Sequence, residues 1–186
     1  MNKSRSGFTI VELLIVIVVI GILATITITV YTGVQTRANN TASVSAAATW
    51  MKAFKSYEAD NGELPHTGYD SCLGTGYPWD YDSQASGLNQ CRYTTTSYYI
   101  EKVGISNALK PYMNNQLPTP SMQTVGTSTT WARGLIYAAP AVGGQFNLIV
   151  VIAGSDGCPV ISGINATLSA RTGGALCYYP LGVRLR

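Results

Sequence analysis

One carboxylate stands within the longest apolar run of the sequence. Glu12 is the only charged residue between positions 8 and 30, and no further charge follows until Arg37. An ionised side chain inside a membrane-spanning segment is costly, and such residues usually pair with a partner and indicate a function. We therefore expect Glu12 to bind a cationic group. The alternative is that Glu12 lies near the cytoplasmic headgroups and stays solvated.

The apolar run itself is long enough to cross a membrane. As a helix, residues 8–30 would span about 34 Å at roughly 1.5 Å per residue, against a hydrocarbon core of about 30 Å. Lys3 and Arg5 precede the run, so the positive-inside rule predicts a cytoplasmic N-terminus with the rest of the chain outside. A cleaved secretory signal is the competing interpretation. It is disfavoured because the run exceeds the usual apolar length of about 7–15 residues and no A-x-A site follows it closely.

The residues around this carboxylate resemble a known export signal. The string SGFTIVELL, which starts at Ser6, is followed by GILA and Tyr31, and this pattern is similar to the class III signal of type IV pilins and type II secretion pseudopilins. In that family a membrane peptidase cuts after the Gly of a short basic leader, and the new Phe amine is N-methylated. The resemblance therefore implies a leader at residues 1–7, a cut between Gly7 and Phe8, and methylation of Phe8.

The chemistry of the pattern agrees with the resemblance. Gly7 has no side chain and can lie extended against the catalytic groups of a protease. Cleavage would expose an ammonium group on Phe8, four residues and one helical turn before Glu12, and the amine of a neighbouring subunit could reach the same carboxylate. An unpaired Glu is costly in lipid or in a packed filament core, whereas a paired one is not. By resemblance, Glu12 of one subunit meets the Phe8 amine of the next as subunits leave the bilayer.

The match departs from the family pattern at one position. The family commonly has Pro two residues before the Tyr that corresponds to Tyr31, whereas this chain has Thr29. β-Branched residues lower helix propensity, and Thr hydroxyls can bond to a carbonyl one turn earlier. A bend or local melting over residues 25–33 is one hypothesis. A continuous helix with internally satisfied hydroxyls is the other.

The helix is expected to continue beyond the membrane. Apolar residues recur three or four positions apart on one face, and Gly62 and Pro65 predict where the helix ends. One helix over residues 9–60 would combine a transmembrane and assembly half (8–30) with an amphipathic half (31–60). The apolar face of the second half consists of Val44, Ala47, Ala48, Met51, Phe54 and Tyr57.

Residues 61–186 predict a globular head with an antiparallel sheet and two disulfide loops. β-Branched and aromatic residues bounded by Gly and Pro indicate strands. The predicted fold class is α+β: a long N-terminal helix packed on a small antiparallel sheet, in a pilin-like arrangement. The predicted strands are residues 131–139, 145–153 and 175–179, with a hairpin turn at 140–144.

The remainder of the head is less regular in sequence. Residues 62–104 are rich in Gly, Tyr, Ser and Thr, which is typical of a variable surface loop. Residues 106–113 favour a short helix that stops at Asn114 and Asn115. Residues 117–120, Leu-Pro-Thr-Pro, predict an extended turn that is similar to an element before the sheet of many pilin-like proteins.

Four cysteines in an exported domain indicate disulfides, although four cysteines allow three pairings. Sequential pairing is the economical choice, and its two 19-residue intervals would each contribute about 3 kcal/mol in the chain-entropy model. The pairs would be Cys72–Cys91 and Cys158–Cys177. A zinc site is the alternative, but the sequence has no C-x-x-C and His66 is its only histidine. By resemblance, the second disulfide would tie the C-terminal loop to the last strand.

The sequence lacks the usual catalytic patterns, so we do not expect an enzyme. It has a single histidine, no G-x-x-x-x-G-K and no H-E-x-x-H, and His66 beside Pro65 is typical of a solvated loop. The alternative is a head that binds a metal or catalyses hydrolysis, and such a head would lose its activity on chelation or on substitution of His66. No cofactor is expected. Calcium is the alternative, because pseudopilin-like proteins sometimes bind it, although the spacing of the available acids matches no EF-hand. Those acids are Glu63, Asp70, Asp80 and Asp82.

Composition excludes two further classes of protein. The net charge is only +3 and the cations beyond the N-terminus do not cluster, so a dedicated nucleic-acid site is not expected. Aromatic residues make up 10% of the chain, and together with many Val and Ile they give enough apolar surface to exclude intrinsic disorder.

The sequence therefore predicts a structural subunit of a type IV pilus-like filament. It would insert as a single-pass membrane protein, be cleaved after Gly7 and polymerise through its N-terminal helix into a helical homo-oligomer on the cell surface. The resemblance implies a leader peptidase and methylase and a membrane assembly platform as partners. Two alternatives stay open: a periplasmic pseudopilin of a type II secretion system, and a signal-anchored surface binding protein that never polymerises, for which Glu12 would be incidental.

Overall fold

The structure is a computed structural model that divides the chain into two compact units, Met1–Arg37 and Ala38–Arg186. The predicted leader, including Gly7, lies outside the described residues. The structure describes residues 8–66, 68–77, 79–82, 85–92, 98–100, 103–127, 131–140, 143–154 and 157–183.

A single long helix, α1, runs from Ile10 to Asn61. This confirms the predicted helix to within one residue at each end. It ends where Gly62 adopts a φ of +77° and donates its N–H to the carbonyl of Glu58 at 2.8 Å. Glycine is suited to this position because a left-handed φ is strained for residues with a Cβ.

The helix is continuous where the sequence left a bend or melting open. Residues 25–33 are helical throughout. The Thr25 hydroxyl donates to the carbonyl of Ile22 at 2.7 Å, and the Thr27 hydroxyl lies 3.0 Å from the carbonyls of Leu23 and Ala24. These bonds satisfy the two hydroxyls inside the helix, which an apolar environment requires. The structure thus matches the continuous-helix hypothesis.

The two halves of α1 differ in burial. In the apolar half, which we define as residues 10–36, the large apolar side chains are between 47% exposed at Val19 and 84% exposed at Ile10. In the packed half, defined as residues 38–61, Trp50 and Phe54 are fully buried. The predicted amphipathic face is confirmed, since all six of its residues belong to or pack against the main core.

The second unit contains two five-stranded antiparallel sheets. Sheet 1 has the strand order β1-β7-β8-β10-β9, and sheet 2 has the order β2-β3-β6-β5 with β4 paired to β3. A short helix, α2 (Val103–Leu109), continues into a 3₁₀ turn (Lys110–Met113). The strands are β1 Ser71–Cys72, β2 Trp79–Asp82, β3 Ala85–Arg92, β4 Tyr98–Ile100, β5 Thr124–Gly126, β6 Trp131–Arg133, β7 Leu135–Ala138, β8 Gln145–Ala153, β9 Thr167–Arg171 and β10 Gly174–Val183.

Sheet 1 lies between the packed half of α1 and sheet 2. Along β8, Leu148 and Val150 belong to the core that includes the residues of α1, whereas Ile149 and Val151 belong to a second core shared with sheet 2. Side chains alternate between the two faces of a strand, so a central strand covered on both faces is apolar throughout. This explains the unbroken apolar sequence over residues 148–153 of β8, a strand that was predicted at its correct bounds.

Aromatic rings join α1 to sheet 1. The ring of Phe54 stacks on Tyr137 with centroids 4.5 Å apart, and Tyr137 stacks on Phe146 at 5.3 Å. The predicted extended turn is anchored to the same helix, because the indole of Trp50 donates to the carbonyl of Pro118 at 2.8 Å. The α+β arrangement of a long N-terminal helix followed by antiparallel sheet is therefore confirmed.

Three predictions about the head need correction. The expected surface loop at residues 62–104 is wrong for its described part, which contains β1 to β4 and the buried Leu73 and Tyr77. The expected strand at 131–139 is two strands, because Gly134, at φ +94°, ends β6 and the chain continues in the other sheet as β7. The strand expected at 175–179 is longer, and its neighbour β9 was not predicted.

The short helix of the head was predicted with a displaced start. The helical segment begins at Val103 instead of residue 106, and it ends in the 3₁₀ turn at Met113 as expected. Asn114 and Asn115 follow with φ values of +51° and +59°. Asparagine tolerates this left-handed conformation better than most residues with a side chain, which is why the pair stops the helix.

Candidate processing and assembly site

Thr9 and Glu12 form a reciprocal cap at the start of α1. The Glu12 Oε2 accepts two hydrogen bonds at 2.8 Å, one from the backbone N–H of Thr9 and one from its hydroxyl. The Glu12 N–H in turn donates to the Thr9 Oγ1 at 3.2 Å. This is a capping box, in which the first residue and the one three positions later satisfy each other's open backbone donors.

The cap was missed in the sequence, although a signal for it is present. Thr9-Ile-Val-Glu12 has the T-x-x-E spacing just before an apolar run, which indicates a helix N-terminus. Because Glu12 was expected to bind a cation, a neutral hydrogen-bond donor such as Thr9 was not considered. Thr9 is therefore a residue of the candidate site that sequence reasoning did not name.

Phe8 lies before the cap and outside the helix. The helix starts at Ile10, and the Phe8 side chain is 81% exposed. Phe8 thus directly precedes the capping residue Thr9, and the pairing of its amine with Glu12 stays a prediction. Gly7, on the other side of the predicted cut, lies outside the described residues.

Glu12 is flanked along the chain by exposed apolar residues. Val11, Leu13 and Leu14 are each more than half exposed. Within the described part of the chain, the hydrogen bonds to the Glu12 carboxylate come from Thr9, and both reach the same oxygen. Among the described residues, α1 is also the one helix that is long and apolar enough to cross a membrane.

The four cysteines form two disulfides. Cys72 and Cys91, with Cα atoms 5.5 Å apart, join β1 of sheet 1 to β3 of sheet 2. Cys158 and Cys177, also 5.5 Å apart, join the segment before Ile161 to β10. No cysteine is left over for the alternative zinc site.

The candidate calcium and histidine residues have ordinary surroundings where the structure describes them. His66 and Glu63 are exposed. The Asp70 carboxylate accepts the N–H of Ala139 at 2.7 Å and so supports the end of β7. Asp80 and Asp82 lie on β2, and their side chains are outside the described set. The described residues contain no cluster of three or more potential metal ligands.

A comparison with known families identifies the N-terminal signal. The family model described as the prokaryotic N-terminal methylation motif matches residues 2–28. The chain carries the class III signal of type IV pilins and pseudopilins. Proteins with this motif form a structural class and not an enzymatic one, so the expectation of a non-enzymatic protein is confirmed. No solved structure matches the chain.

Proposed function

We propose that the protein is a structural subunit of a type IV pilus-like filament, cleaved after Gly7, N-methylated on Phe8 and polymerised through α1. One observation carries this proposal. The methylation motif at residues 2–28 extends into a helix whose apolar half is exposed, while the packed half of the same helix is buried in the head. A membrane anchor that stays monomeric would explain the exposed apolar half. Only assembly into a filament also explains why the chain carries the methylation motif.

The exposed apolar half must be shielded from water in two successive environments, the membrane and the filament. Exposed apolar surface of this extent is unstable in water and marks a site of membrane or protein association. Lipid covers it first, with the N-terminus inside the cell. The corresponding helices of neighbouring subunits cover it in the filament, which then extends outside the cell. The leader peptidase and methylase and a membrane assembly platform would act between these two states.

The cap at Glu12 supports pairing between subunits. Thr9 donates two hydrogen bonds to one oxygen of the carboxylate, and Phe8 precedes the start of α1. By resemblance to pilins, the ammonium that binds the carboxylate would come from the next subunit. In a dry filament core such an ion pair fixes register, because a carboxylate left without its cation is strongly destabilising.

A pseudopilin of a type II secretion system is the second candidate, because pilins and pseudopilins share the matched motif. A pilus and a pseudopilus differ in the location of the assembled fibre. A pilus subunit is recovered by shearing intact cells, whereas a pseudopilin stays in the envelope and its loss stops the secretion of other proteins. The anchored binding protein of the third interpretation forms no fibre at all.

The Glu12→Ala variant tests the proposed function. We expect it to insert and to be cleaved as the native chain is, but to be absent from sheared filaments, because the site of the incoming ammonium is gone. Membrane fractionation, intact mass and filament yield are the three measurements. Glu63→Ala removes an exposed carboxylate of the head and serves as the matched control. Normal filament yield from Glu12→Ala would contradict the proposal and favour the non-polymerising anchor.

A further inference from the structure

The packed half of α1 ends in an Asn-Gly pair, Asn61 and Gly62, and the sequence has no second pair of this kind. Such a pair can modify itself in water. The backbone nitrogen of Gly62 bonds to the side-chain Cγ of Asn61 and gives up its proton, the Cγ–Nδ2 bond breaks, and the side-chain nitrogen leaves as ammonia. Water then opens the resulting cyclic imide at either carbonyl, which yields aspartate or isoaspartate. Glycine hinders this attack least because it has no side chain.

The folded end of the helix opposes this reaction at both reacting groups. The Gly62 N–H donates to the carbonyl of Glu58 at 2.8 Å, so the attacking nitrogen is held by a hydrogen bond. The Asn61 Nδ2 donates to the carbonyl of Tyr57 at 2.9 Å, which directs the side-chain amide back along the helix and away from Gly62. Asn61 is exposed, so water has access to it. The hydrogen bonds, and not burial, therefore protect the pair.

A side chain from another element holds this end of α1. The hydroxyl of Tyr112, in the 3₁₀ turn, donates to the Oδ2 of Asp60 at 2.9 Å. The ring of Tyr112 also packs edge-on against Tyr57, with centroids 5.9 Å apart. The hydrogen bond to Asp60 is the main cause that raises the pKa of Tyr112 above 10.0, so the hydroxyl stays protonated in mildly alkaline solution. Tyr112 thus binds the residue before Asn61 and the residue whose carbonyl accepts the Asn61 amide.

We propose that Asn61 is a latent self-modification site, held inert by the hydrogen bonds of the folded helix end and by Tyr112, and converted when this end opens. Its product would add a carboxylate beside Asp60 at the C-terminus of α1, where the helix dipole disfavours negative charge. Isoaspartate would also lengthen the backbone by one carbon atom before Gly62 and so disrupt the cap. Because the amide is not restored, the modified fraction would record how often the helix end has opened. This inference does not depend on filament assembly.

The test measures the fraction of aspartate and isoaspartate at position 61 over time. The full chain is incubated in detergent at mildly alkaline pH and analysed by peptide mass spectrometry, and the same chain in denaturant gives the rate without the folded helix end. Tyr112→Phe removes the hydroxyl and keeps the ring. Tyr31→Phe is the matched control, because it removes a tyrosine hydroxyl from an exposed ring of the apolar half.

We expect the folded native chain to convert at least about ten-fold more slowly than the chain in denaturant, because both reacting groups must first leave their partners. Folded Tyr112→Phe should convert about three-fold faster than the native chain, as the loss of one hydrogen bond implies, and at the native rate in denaturant. Equal rates for the folded and the denatured native chain would overturn the proposal, as would the absence of product in denaturant. A folded Tyr112→Phe that converts no faster than Tyr31→Phe would overturn the role of Tyr112.

Discussion

At the scale of single residues, Gly134 decides how the chain passes between the two sheets. It has a φ of +94°, and a Cβ at this position would lie 2.5 Å from the Cε1 of Tyr77. The Tyr77 hydroxyl donates there to the carbonyl of Leu73 at 2.6 Å, lies 3.2 Å from the carbonyl oxygen of Leu135 and accepts the N–H of Leu135 at 3.1 Å. The residue after β6 must therefore lack a side chain, because a Cβ there would displace the ring that bonds to Leu73 and Leu135.

We predict that Gly134→Ala lowers the free energy of unfolding by about 2 kcal/mol or more, since it combines backbone strain with a clash against a buried ring. The measurement is chemical unfolding of the full chain in detergent, followed by near-UV circular dichroism. Gly157→Ala is the control, because nothing lies within 4 Å of a Cβ there and its φ is ordinary. Equal stabilities of the two variants would refute this role of Gly134.

A second residue-scale prediction concerns pH. Burial raises the pKa of Tyr179 from 10.0 to about 12, and its hydroxyl donates to the carbonyl of Pro159. The folded protein therefore keeps the proton after the unfolded chain has lost it, so this group's stabilisation is complete below pH 10 and is lost as the pH rises towards 12. We expect Tyr179→Phe to reduce the loss of stability over this window. A pH profile of Tyr179→Phe that matches the profile of the native chain would show the prediction to be wrong.

At the scale of elements, the packed half of α1 is fastened to the end of β8 by one amide. The Asn40 Nδ2 donates to the carbonyl of Ala153 at 2.7 Å, and the Ala153 N–H donates to the Asn40 Oδ1 at 3.1 Å. The side chain thereby pairs both backbone groups of the strand's last residue, as a neighbouring strand would. This contact sets the position along α1 at which the end of β8 packs.

Asn40→Ala is predicted to lower the free energy of unfolding by about 1–3 kcal/mol, because it leaves two partly buried backbone groups without their partner. Asn40→Asp should be at least as harmful, since a carboxylate cannot donate to the Ala153 carbonyl. Hydrogen exchange at the Ala153 amide reports the effect locally. Asn147, whose amide donates to the carbonyl of Gln145 two residues away, provides the control substitution to Ala. Unchanged exchange in Asn40→Ala would contradict the contact.

The elements differ in how far the sequence predicts them. Helix α1 and strand β8 could be predicted because periodicity and an unbroken apolar run are local signals. Strand β9 could not, because an exposed edge strand such as Thr-Leu-Ser-Ala-Arg needs no apolar face. The division at Gly134 was missed for another reason: both flanking strands look like one β-branched and aromatic segment, and only the three-dimensional contact with Tyr77 separates them. The partnership of Thr9 with Glu12 was missed although its spacing was visible.

At the scale of the whole molecule, one half of α1 is buried and the other half is exposed. The packed half of α1 lies in one unit with the two sheets, and two disulfides cross-link this unit. The side chains of the apolar half are exposed within the other unit. The sequence predicted the helix, the α+β class and the signal, but it assigned residues 62–104 to a surface loop. Most of sheet 2 was missed because β2 and β3 are rich in polar residues and Gly, and β4 and β5 have only three residues each.

The most direct test of the account is the intact mass and N-terminal sequence of the protein extracted from membranes and from sheared filaments. We predict a chain that starts at Phe8 and carries one added methyl group in both fractions. An intact Met1, or a cut beyond Thr36 that removes the apolar half, would contradict processing as a filament subunit.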